Sequence, residues 1–296
     1  MDNLPLVTVT VITYNSSKYV LETLNSVYNQ TYPNIELIIS DDNSKDDTVP
    51  KVQEWLSVFK NKFVKTTLLF VTENTGITAN CTRAFEKAEG KWLKSIAGDD
   101  FLFPDAIESY VKFVTERESE DISFVVSSVR IFNEHPDNLI YNWPNFKINS
   151  DINTQIKKQI TGSYVKSPGV FMKLETFHKL GGLNPRYPML EDDPLWVKAM
   201  MNGYKFYHLD KVLVAYRIHS GAVSNGTEIP KKHFFDSLYK FKHEVTFPLM
   251  KKKGLYLKYL IQKREFKILN RAVQTQKISG FDKLQIRVLN KFVRMS

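Results

Sequence analysis

Strand-like and helix-like segments alternate along the first half of this 296-residue chain, and this alternation limits the fold more than any other feature. Runs rich in β-branched residues predict strands, and apolar side chains spaced three or four positions apart predict helices. The predicted strands are Leu6–Thr13, Ile35–Ser40, Thr66–Val71, Trp92–Ile96 and Ile122–Ser127, and the predicted helices are Lys18–Gln30, Asp47–Phe59, Thr78–Ala88 and a helix from Pro104 through Val114. This order predicts an α/β fold with a mainly parallel sheet covered by helices on both faces.

The rest of the chain is less regular until a helical tail begins. Beyond residue 146 the sequence has Ser-, Asn- and Gly-rich stretches, among which Glu191–Asn202 predicts a helix and Lys205–Arg217 a strand. From Lys231 onward the apolar spacing is helical. We therefore place a boundary near residue 228, between an α/β domain at 1–228 and a helical C-terminal region at 229–296.

Positive charge is concentrated in the tail. The whole chain carries a net charge of +9, but residues 231–296 contain seventeen Lys or Arg against four Asp or Glu, a net +13, which leaves −4 for residues 1–230. A basic nucleic-acid-binding protein is expected to carry its positive charge, interleaved with aromatic residues, on the sheet domain. We therefore expect no nucleic-acid partner.

Cysteine and leader signals are nearly absent. The single cysteine, Cys81, excludes a disulfide framework and a thiolate zinc site. The N-terminal residues lack a basic segment followed by a long apolar one, and no stretch approaches about 18 apolar residues, the length of a membrane-spanning helix. We expect a cytoplasmic protein.

Polar clusters follow three of the predicted strands, at Thr13–Asn15, Asp41–Ser44 and Gly98–Asp100. The carboxyl ends of parallel strands meet at one edge of a sheet, where ligands bind in folds of this type. Turn and N-cap chemistry could explain each cluster alone, but their joint occurrence favours a functional site. Carboxylate pairs meeting there repel each other, and hard oxygen ligands favour Mg²⁺ or Mn²⁺ as the partner that relieves this repulsion.

Two further motifs lie in the second half of the chain. The first turn of a predicted helix carries Glu191, Asp192 and Asp193, which are more acids than the helix dipole requires. Arg217 and His219 are two residues apart on a predicted strand and therefore project from the same face.

Together these motifs resemble those of family 2 glycosyltransferases with the GT-A fold. In order, the chain carries V-T-V-I-T-Y-N, E-L-I-I-S-D-D-N-S-K-D-D-T, E-N-T-G, A-F-E-K-A-E-G-K-W-L, G-D-D, E-D-D-P-L-W and Y-R-I-H. The resemblance covers residues 5–225. It implies a Rossmann-like sheet with a nucleotide-binding half at 1–100, an acceptor-binding half at 101–228, and the tail as a C-terminal helical extension.

The resemblance also implies a role for each motif residue. Those expected in the nucleotide site are Thr13, Tyr14, Asn15, Asp41, Asp42, Asn74, Arg83 and Asp99, with Asp42 accepting from the base and Asp41 supporting it. Asp100 matches the metal position, in a motif that reads G-D-D without the middle residue of D-x-D. Arg217 and His219 are expected at the diphosphate, and His219 also at the metal. Asp192 matches the general base, a role that Glu191 or Asp193 takes if the alignment is shifted by one residue.

The implied reaction is transfer of a sugar from a nucleoside diphosphate to a hydroxyl of a glycan or lipid-linked acceptor, with inversion and with Mn²⁺ or Mg²⁺. Surface-polysaccharide synthesis, as for lipopolysaccharide or capsule, is the implied setting. UDP is the expected nucleotide, and dTDP and GDP stay open. A sugar nucleotidyltransferase is the main enzymatic alternative, but a Gly-rich loop with Arg and Lys usually follows its first strand, where this chain has Thr-Tyr-Asn-Ser-Ser.

The last predicted helix has two opposed faces. Phe281, Leu284, Val288 and Phe292 fall on one, and Lys283, Arg287, Lys291 and Arg294 on the other. This pattern suits peripheral contact of residues 231–296 with an anionic membrane, here the inner face of the cytoplasmic membrane. A helical cap that packs on the catalytic domain and leaves its lysines in solvent has the same pattern, so both interpretations stay open.

Overall fold

A computed structural model describes residues 4–134, 138–144, 151–162, 164–219 and 229–295. The strands are β1 (Val7–Thr13), β2 (Ile35–Asp41), β3 (Lys65–Phe70), β4 (Trp92–Ala97), β5 (Phe101–Leu102), β6 (Phe124–Asn133), β7 (Leu139–Trp143), β8 (Val170–Lys173) and β9 (Phe206–Ile218). The helices are α1 (Val20–Tyr28), α2 (Thr48–Phe59), α3 (Ile77–Glu86), α4 (Ala106–Thr115), α5 (Ile152–Thr161), α6 (Leu174–Lys179), α7 (Asp192–Met201), α8 (Lys232–Phe241), α9 (Phe247–Lys252), α10 (Tyr256–Thr275) and α11 (Gly280–Met295).

The strands form one sheet in the order β3-β2-β1-β4-β8-β6-β9-β5, with β7 paired to β6. The first half is parallel throughout, as predicted, because β1 pairs in parallel with both β2 and β4, and β2 with β3. The second half is mixed, since β8 runs antiparallel to β4 and β6, whereas β6 and β9 are parallel. The mixed half was not visible in the sequence because β8 is only four residues long.

The predicted elements are present, with small shifts at their ends. The helix predicted from Pro104 begins at Ala106. The strand predicted to end at Ser127 continues to Asn133, because Ser127 and Ser128 are buried within the sheet rather than placed in a turn. Cys81, Trp55 and Trp92 are core residues, and Trp143 and Trp196 are buried as well.

The core of the sheet domain is formed by apolar strand residues and by stacked aromatic rings. Val7, Val9 and Val11 of β1 are fully buried. The Phe171 ring lies between Trp92 and Tyr110, at centroid distances of 5.0 and 4.9 Å. Removing this apolar surface from water supplies the main stabilisation of the sheet and fixes where its strand ends lie.

The C-terminal region is helical from α8 to α11, with a π-helical turn at Lys242–Thr246. It packs on the sheet domain, where the Gln262 side chain donates to the Thr161 carbonyl at 2.5 Å. Within the described part of the chain, no helix is long and apolar enough to cross a membrane. The predicted boundary near residue 228 lies outside the described residues.

Candidate active site

The carboxyl ends of β1, β2 and β4 meet at one edge of the sheet, and the three polar clusters predicted from the sequence lie there. Thr13 and Asp41 are register partners at the ends of β1 and β2, and the Thr13 hydroxyl donates to Asp41 at 2.8 Å. Gly98, after β4, donates its N–H to the Ile12 carbonyl of β1 at 2.9 Å. The sheet register therefore brings the three clusters together.

Asp41 organises the backbone of the loop after β1. Its carboxylate accepts hydrogen bonds from the Ser44 N–H at 2.8 Å and the Ser44 hydroxyl at 2.6 Å, and the same hydroxyl accepts from the Asn15 N–H at 2.7 Å. This network holds Asn15 at a positive φ of 51° and leaves the neighbouring Tyr14 side chain about half exposed. Tyr14 thus presents part of its ring to solvent at this edge of the sheet.

Asp42 is buried and holds the start of α3. It accepts from the Thr75 N–H at 3.0 Å, the Thr75 hydroxyl at 2.6 Å, the Gly76 N–H at 2.8 Å and the Arg83 guanidinium at 2.8 Å. Four donors therefore converge on this one carboxylate and fix its orientation. Arg83 therefore lies beside the carboxylate predicted to read the base, and Asn74 lies exposed on the adjoining loop.

Asp100 is the most unusual carboxylate of this edge. One of its oxygens accepts from the Arg217 backbone N–H at 2.8 Å, and the other, also buried, has no hydrogen-bond partner. Burial, with the neighbouring Asp99 charge, raises the pKa of Asp100 well above its usual range. The nearby Lys94 is fully buried; burial lowers its pKa to about 7, an effect that the charge of Asp100 opposes.

His219 and Arg217 converge on Asp99. The His219 Nε2 lies 2.8 Å from an Asp99 carboxylate oxygen, and the His219 ring packs against Tyr19. Arg217 is almost fully buried between the Tyr19 and Phe132 rings, and its guanidinium donates to the Asp99 carbonyl and to Glu22. These protein partners give Arg217 a positioning function, and its contact with a diphosphate stays a prediction.

The carboxylates at this edge suit a metal ion that is shared with a ligand. Among the residues that the structure describes, no group of three or more His, Cys, Asp or Glu side chains is arranged to hold a metal. Mg²⁺ typically binds one or two carboxylates together with substrate phosphates and water. The unpartnered oxygen of Asp100 fits that arrangement and does not fit a cage made of protein alone.

The acidic turn Glu191–Asp193 begins α7. The Asp192 carboxylate accepts from the N–H of the adjacent Asp193 at 2.7 Å, and the Asp193 carboxylate accepts from the Gln159 side chain at 2.6 Å. Burial raises the pKa of Asp192, and burial together with the Asp192 charge raises those of Glu191 to about 8 and Asp193 to about 7. The partly buried Lys166 opposes the rise at Asp192. This cluster therefore holds carboxylates whose protonation changes near neutral pH.

The loop before α7 connects the acidic turn to two other parts of the molecule. The Tyr187 and Pro188 carbonyls accept from the Thr78 hydroxyl at 2.7 Å and the Thr78 N–H at 3.1 Å, at the start of α3. On its other side, Arg186 donates twice to Glu244 of the π-helical turn, at 2.6 and 2.7 Å. The loop thus joins the Asp42 region to the C-terminal helices.

Sequence reasoning missed the residues that support the acidic turn. Lys166, Glu244 and Lys242 are far from it in sequence and belong to no motif, and Lys242 is buried where it offsets the charge of Asp193. The only available signal was the acid excess at Glu191–Asp193, which requires compensating cations. A small cavity beside the turn is lined by Cys81, Phe85, Ser95, Asp192 and Trp196, among others.

The fold and site together define a GT-A glycosyltransferase, with parallel strands β1 to β4, carboxylates at their carboxyl ends and an acidic turn from the second half. The chain belongs to glycosyl transferase family 2, which it matches over residues 8–173. The match ends before the acidic turn, so the family assignment rests on the chain from Thr8 to Lys173.

Similar proteins fit this assignment. TuaG of Bacillus subtilis strain 168, which carries the name of a teichuronic acid biosynthesis glycosyltransferase, is 26% identical over 232 residues, covering 78% of this chain and 86% of TuaG. WfaP of Escherichia coli, named as a UDP-Glc:α-D-GlcNAc-diphosphoundecaprenol β-1,3-glucosyltransferase, is 26% identical over 225 residues, 74% of this chain and 80% of WfaP. The crystal structure of S. aureus TarS 1–349 with UDP-GlcNAc has a TM-score of 0.63 at 18% identity, covering 96% of this chain and 79% of that one, which shows the shared fold.

Proposed function

We propose that the protein transfers a sugar from a UDP-sugar to a hydroxyl of a surface glycan or its lipid-linked precursor, with inversion at the anomeric carbon. The observation that carries this proposal is the separation of two kinds of carboxylate. Asp42 and Asp100 lie at the nucleotide-side strand ends, whereas Asp192 begins a helix of the second half. A transferase of this type needs a donor site and a separate base for the acceptor.

UDP is the proposed nucleotide for two reasons: the side chains at the site suit a pyrimidine base, and a protein of similar structure binds UDP. The carboxylate oxygens of Asp42 are acceptors that suit the imide N–H of a pyrimidine base, and the half-exposed Tyr14 ring suits stacking on the base. TarS has been crystallised with UDP-GlcNAc and with UDP. The acceptor class follows from relatives, since the names of TuaG and WfaP refer to teichuronic acid and to a diphosphoundecaprenol-linked sugar.

We propose that Asp100 holds a Mg²⁺ or Mn²⁺ ion together with the diphosphate. Such an ion, when bound, stabilises the charge that develops on the leaving diphosphate. Asp99 and His219 hold each other beside this position, and the Arg217 N–H fixes the Asp100 carboxylate. These contacts orient the Asp100 oxygen that has no protein partner.

Asp192 is the proposed general base. The acceptor hydroxyl is neutral and loses its proton as it attacks, so a carboxylate within hydrogen-bond reach accelerates the step. Burial raises the pKa of Asp192 and so increases its basicity. The acceptor oxygen forms a bond to the anomeric carbon as the bond to the diphosphate oxygen breaks, and the proton passes to Asp192. One displacement inverts the anomeric centre without a second carboxylate.

The first experiment is isothermal titration with UDP, dTDP and GDP, each with and without Mn²⁺, on the wild type and on Asp100→Asn. Mn²⁺-dependent binding of UDP that the variant loses is expected. Asp236→Asn, an exposed carboxylate on α8, is the control and should bind as the wild type does. Absence of binding to all three nucleotides, with or without the metal, contradicts the donor site.

The stereochemical outcome needs a second experiment. The slow hydrolysis of UDP-GlcNAc is followed by proton NMR before the released sugar equilibrates between anomers. Release of the β-anomer from the α-linked donor is expected, and release of the α-anomer contradicts inversion. Formation of pyrophosphate from a sugar phosphate and UTP would instead favour a sugar nucleotidyltransferase.

A further inference from the structure

The hairpin of α10 and α11 leaves an apolar surface in contact with solvent. Large apolar side chains are exposed near the start of α10 and along α11: Tyr256 (62%), Leu257 (63%), Leu260 (59%), Phe281 (69%), Leu284 (57%) and Val288 (46%). We call these six residues the hairpin surface. The sequence pattern left open whether the apolar face of α11 packs on the catalytic domain, and the structure places Phe281, Leu284 and Val288 of that face in solvent instead.

Two side-chain hydrogen bonds pair α10 with α11 and show how the two parts of the hairpin surface lie along each other. Arg264 of α10 donates to Gln285 of α11 at 3.3 Å, and Arg271 donates to Asp282 at 2.5 Å. The pairing is therefore antiparallel, and earlier residues of α10 lie beside later residues of α11. This brings Leu257 and Leu260 toward the end of α11 that carries Val288.

Cationic side chains border the hairpin surface on both helices. Leu257, Leu260, Arg264, Lys267 and Arg271 follow one another at intervals of three and four along α10, and all five are exposed. Such spacing places them on one helix face. On α11, Arg287 is exposed beside Leu284 and Val288. The apolar surface is therefore bordered by cations on the same side.

From these features we propose that the hairpin surface docks on an anionic lipid bilayer. Its apolar side chains would enter the boundary between head groups and acyl chains, while the bordering Lys and Arg side chains contact anionic head groups. The net charge of +13 in residues 231–296 complements such a membrane and disfavours a second copy as the occupant, because two surfaces of this charge repel each other. Several large apolar side chains exposed on one helix pair are typical of an interaction site.

Docking would also place the site near lipid-linked acceptors. Only this consequence rests on the proposed function. The C-terminal helices contact the loop before α7 through Arg186 and Glu244. A protein held on the membrane by α10 and α11 would keep its acceptor half near lipid-linked sugars. The docking itself requires no catalytic activity, so its test is independent of the donor and of the acceptor.

Flotation of the full chain with vesicles tests the proposal. We expect binding to vesicles of phosphatidylglycerol and phosphatidylcholine in equal parts, weak binding to phosphatidylcholine alone, and release as salt rises. The combined variant Phe281→Ser, Leu284→Ser and Val288→Ser should bind at least tenfold more weakly. Lys267→Glu with Arg287→Glu, which reverses two of the bordering cations, should have a similar effect. Val58→Ser with Val64→Ser, which removes exposed apolar side chains from the sheet domain, is the matched control and should bind normally.

Thermal melting of each variant checks that the fold is kept, and Leu284→Ser alone replaces the triple variant if that protein does not fold. The proposal is overturned by wild-type protein that does not float with anionic vesicles, or by equal binding of wild type and folded surface variants. Two other occupants are also distinguished. Self-association of the wild type that the triple variant abolishes would assign the surface to a second copy, and salt-resistant RNA binding would assign it to nucleic acid.

Discussion

Arg186 and Glu244 join the loop that precedes the acidic turn to the C-terminal helices. The guanidinium donates two hydrogen bonds to the carboxylate, at 2.6 and 2.7 Å, and the Tyr187 hydroxyl lies 3.0 Å from the same carboxylate. A bidentate pair of this kind fixes orientation as well as distance. The C-terminal region therefore helps to position the loop that leads into α7.

The first prediction concerns the stability of this connection as pH changes. The hydrogen bonds from Arg186 hold the pKa of Glu244 at about 2, below its ordinary value of 4.5. A carboxylate with a lowered folded-state pKa stabilises the fold above its unfolded pKa and loses this contribution as pH falls through the folded one. Glu244→Gln should therefore lower the melting temperature at pH 7, by an amount that shrinks between pH 4.5 and pH 2.

The comparison is made by calorimetric melting of the wild type and the variant across that range. Glu54→Gln, an exposed carboxylate of α2, is the control and should melt with the wild type at each pH. A constant difference between wild type and Glu244→Gln from pH 7 to pH 2 would show that the carboxylate charge is not the stabilising feature.

The second prediction concerns the pH dependence of transfer. Burial raises the pKa of Asp192, and the cation of Lys166 opposes this rise. Because the base acts only when ionised, activity should fall on the acid side of the Asp192 pKa. Lys166→Met removes the opposing cation and should move that acid limb to higher pH, while Asp192→Asn should lower the turnover by about a hundredfold or more at every pH.

Donor hydrolysis or transfer, measured from pH 5 to 9, provides the profile. Lys157→Met removes an exposed lysine from α5 and should leave the limb where it is. An acid limb that moves to lower pH in Lys166→Met would contradict the proposal that the Lys166 cation lowers the pKa of Asp192. Retention of wild-type activity by Asp192→Asn would transfer the base role to Glu191 or Asp193.

The third prediction concerns Gly76, whose φ of +88° and ψ of 161° belong to a region open almost only to glycine. A Cβ at this position would also lie 2.9 Å from the Pro188 carbonyl oxygen. Gly76→Ala should cost about 1–3 kcal/mol of unfolding free energy. It should also weaken UDP binding, because the Gly76 N–H is one of the donors that hold Asp42.

Urea unfolding and nucleotide titration measure the two effects separately. Gly203→Ala supplies the comparison, since its φ is also +88° but its Cβ would meet no atom within 4 Å. Gly203→Ala should lose stability through backbone strain alone and bind UDP normally. Equal UDP affinities for Gly76→Ala and the wild type would separate this glycine from the donor site.

The fourth prediction concerns Arg217, which is held between two aromatic rings and donates from its guanidinium to the Asp99 carbonyl and to Glu22. Lysine cannot reproduce the planar stack or the divided hydrogen bonds. Arg217→Lys should therefore cost about 2 kcal/mol of unfolding free energy and reduce Mn²⁺-dependent UDP binding. Chemical unfolding measures the stability, and titration with UDP and Mn²⁺ measures the binding. Arg287→Lys, at an exposed position, is the control. Unchanged stability of Arg217→Lys would contradict the positioning role.

The strand ends could be predicted from the sequence because they depend on local patterns. Each β-branched run ends at its polar cluster, and parallel pairing then places Thr13, Asp41 and Asp100 at one edge. The support for α7 could not be predicted, since Lys166 and Glu244 act across long sequence separations and resemble ordinary surface residues. Lys94 was hidden for a different reason: a lysine inside a strand normally faces water, but its Nζ donates to the Ser95 and Pro168 carbonyls in the interior.

The hydrogen bond from the Arg217 N–H to Asp100 spans 117 residues of chain. During synthesis, at about 5–20 residues per second, strands β1 to β4 emerge and can pair well before β9 exists. Throughout that interval the Asp99–Asp100 pair lacks both the backbone donor and the imidazole that later hold it. A nascent chain that stops before residue 217 would therefore present a paired half-sheet with an open, negatively charged edge, and this edge is completed only when the last strand arrives.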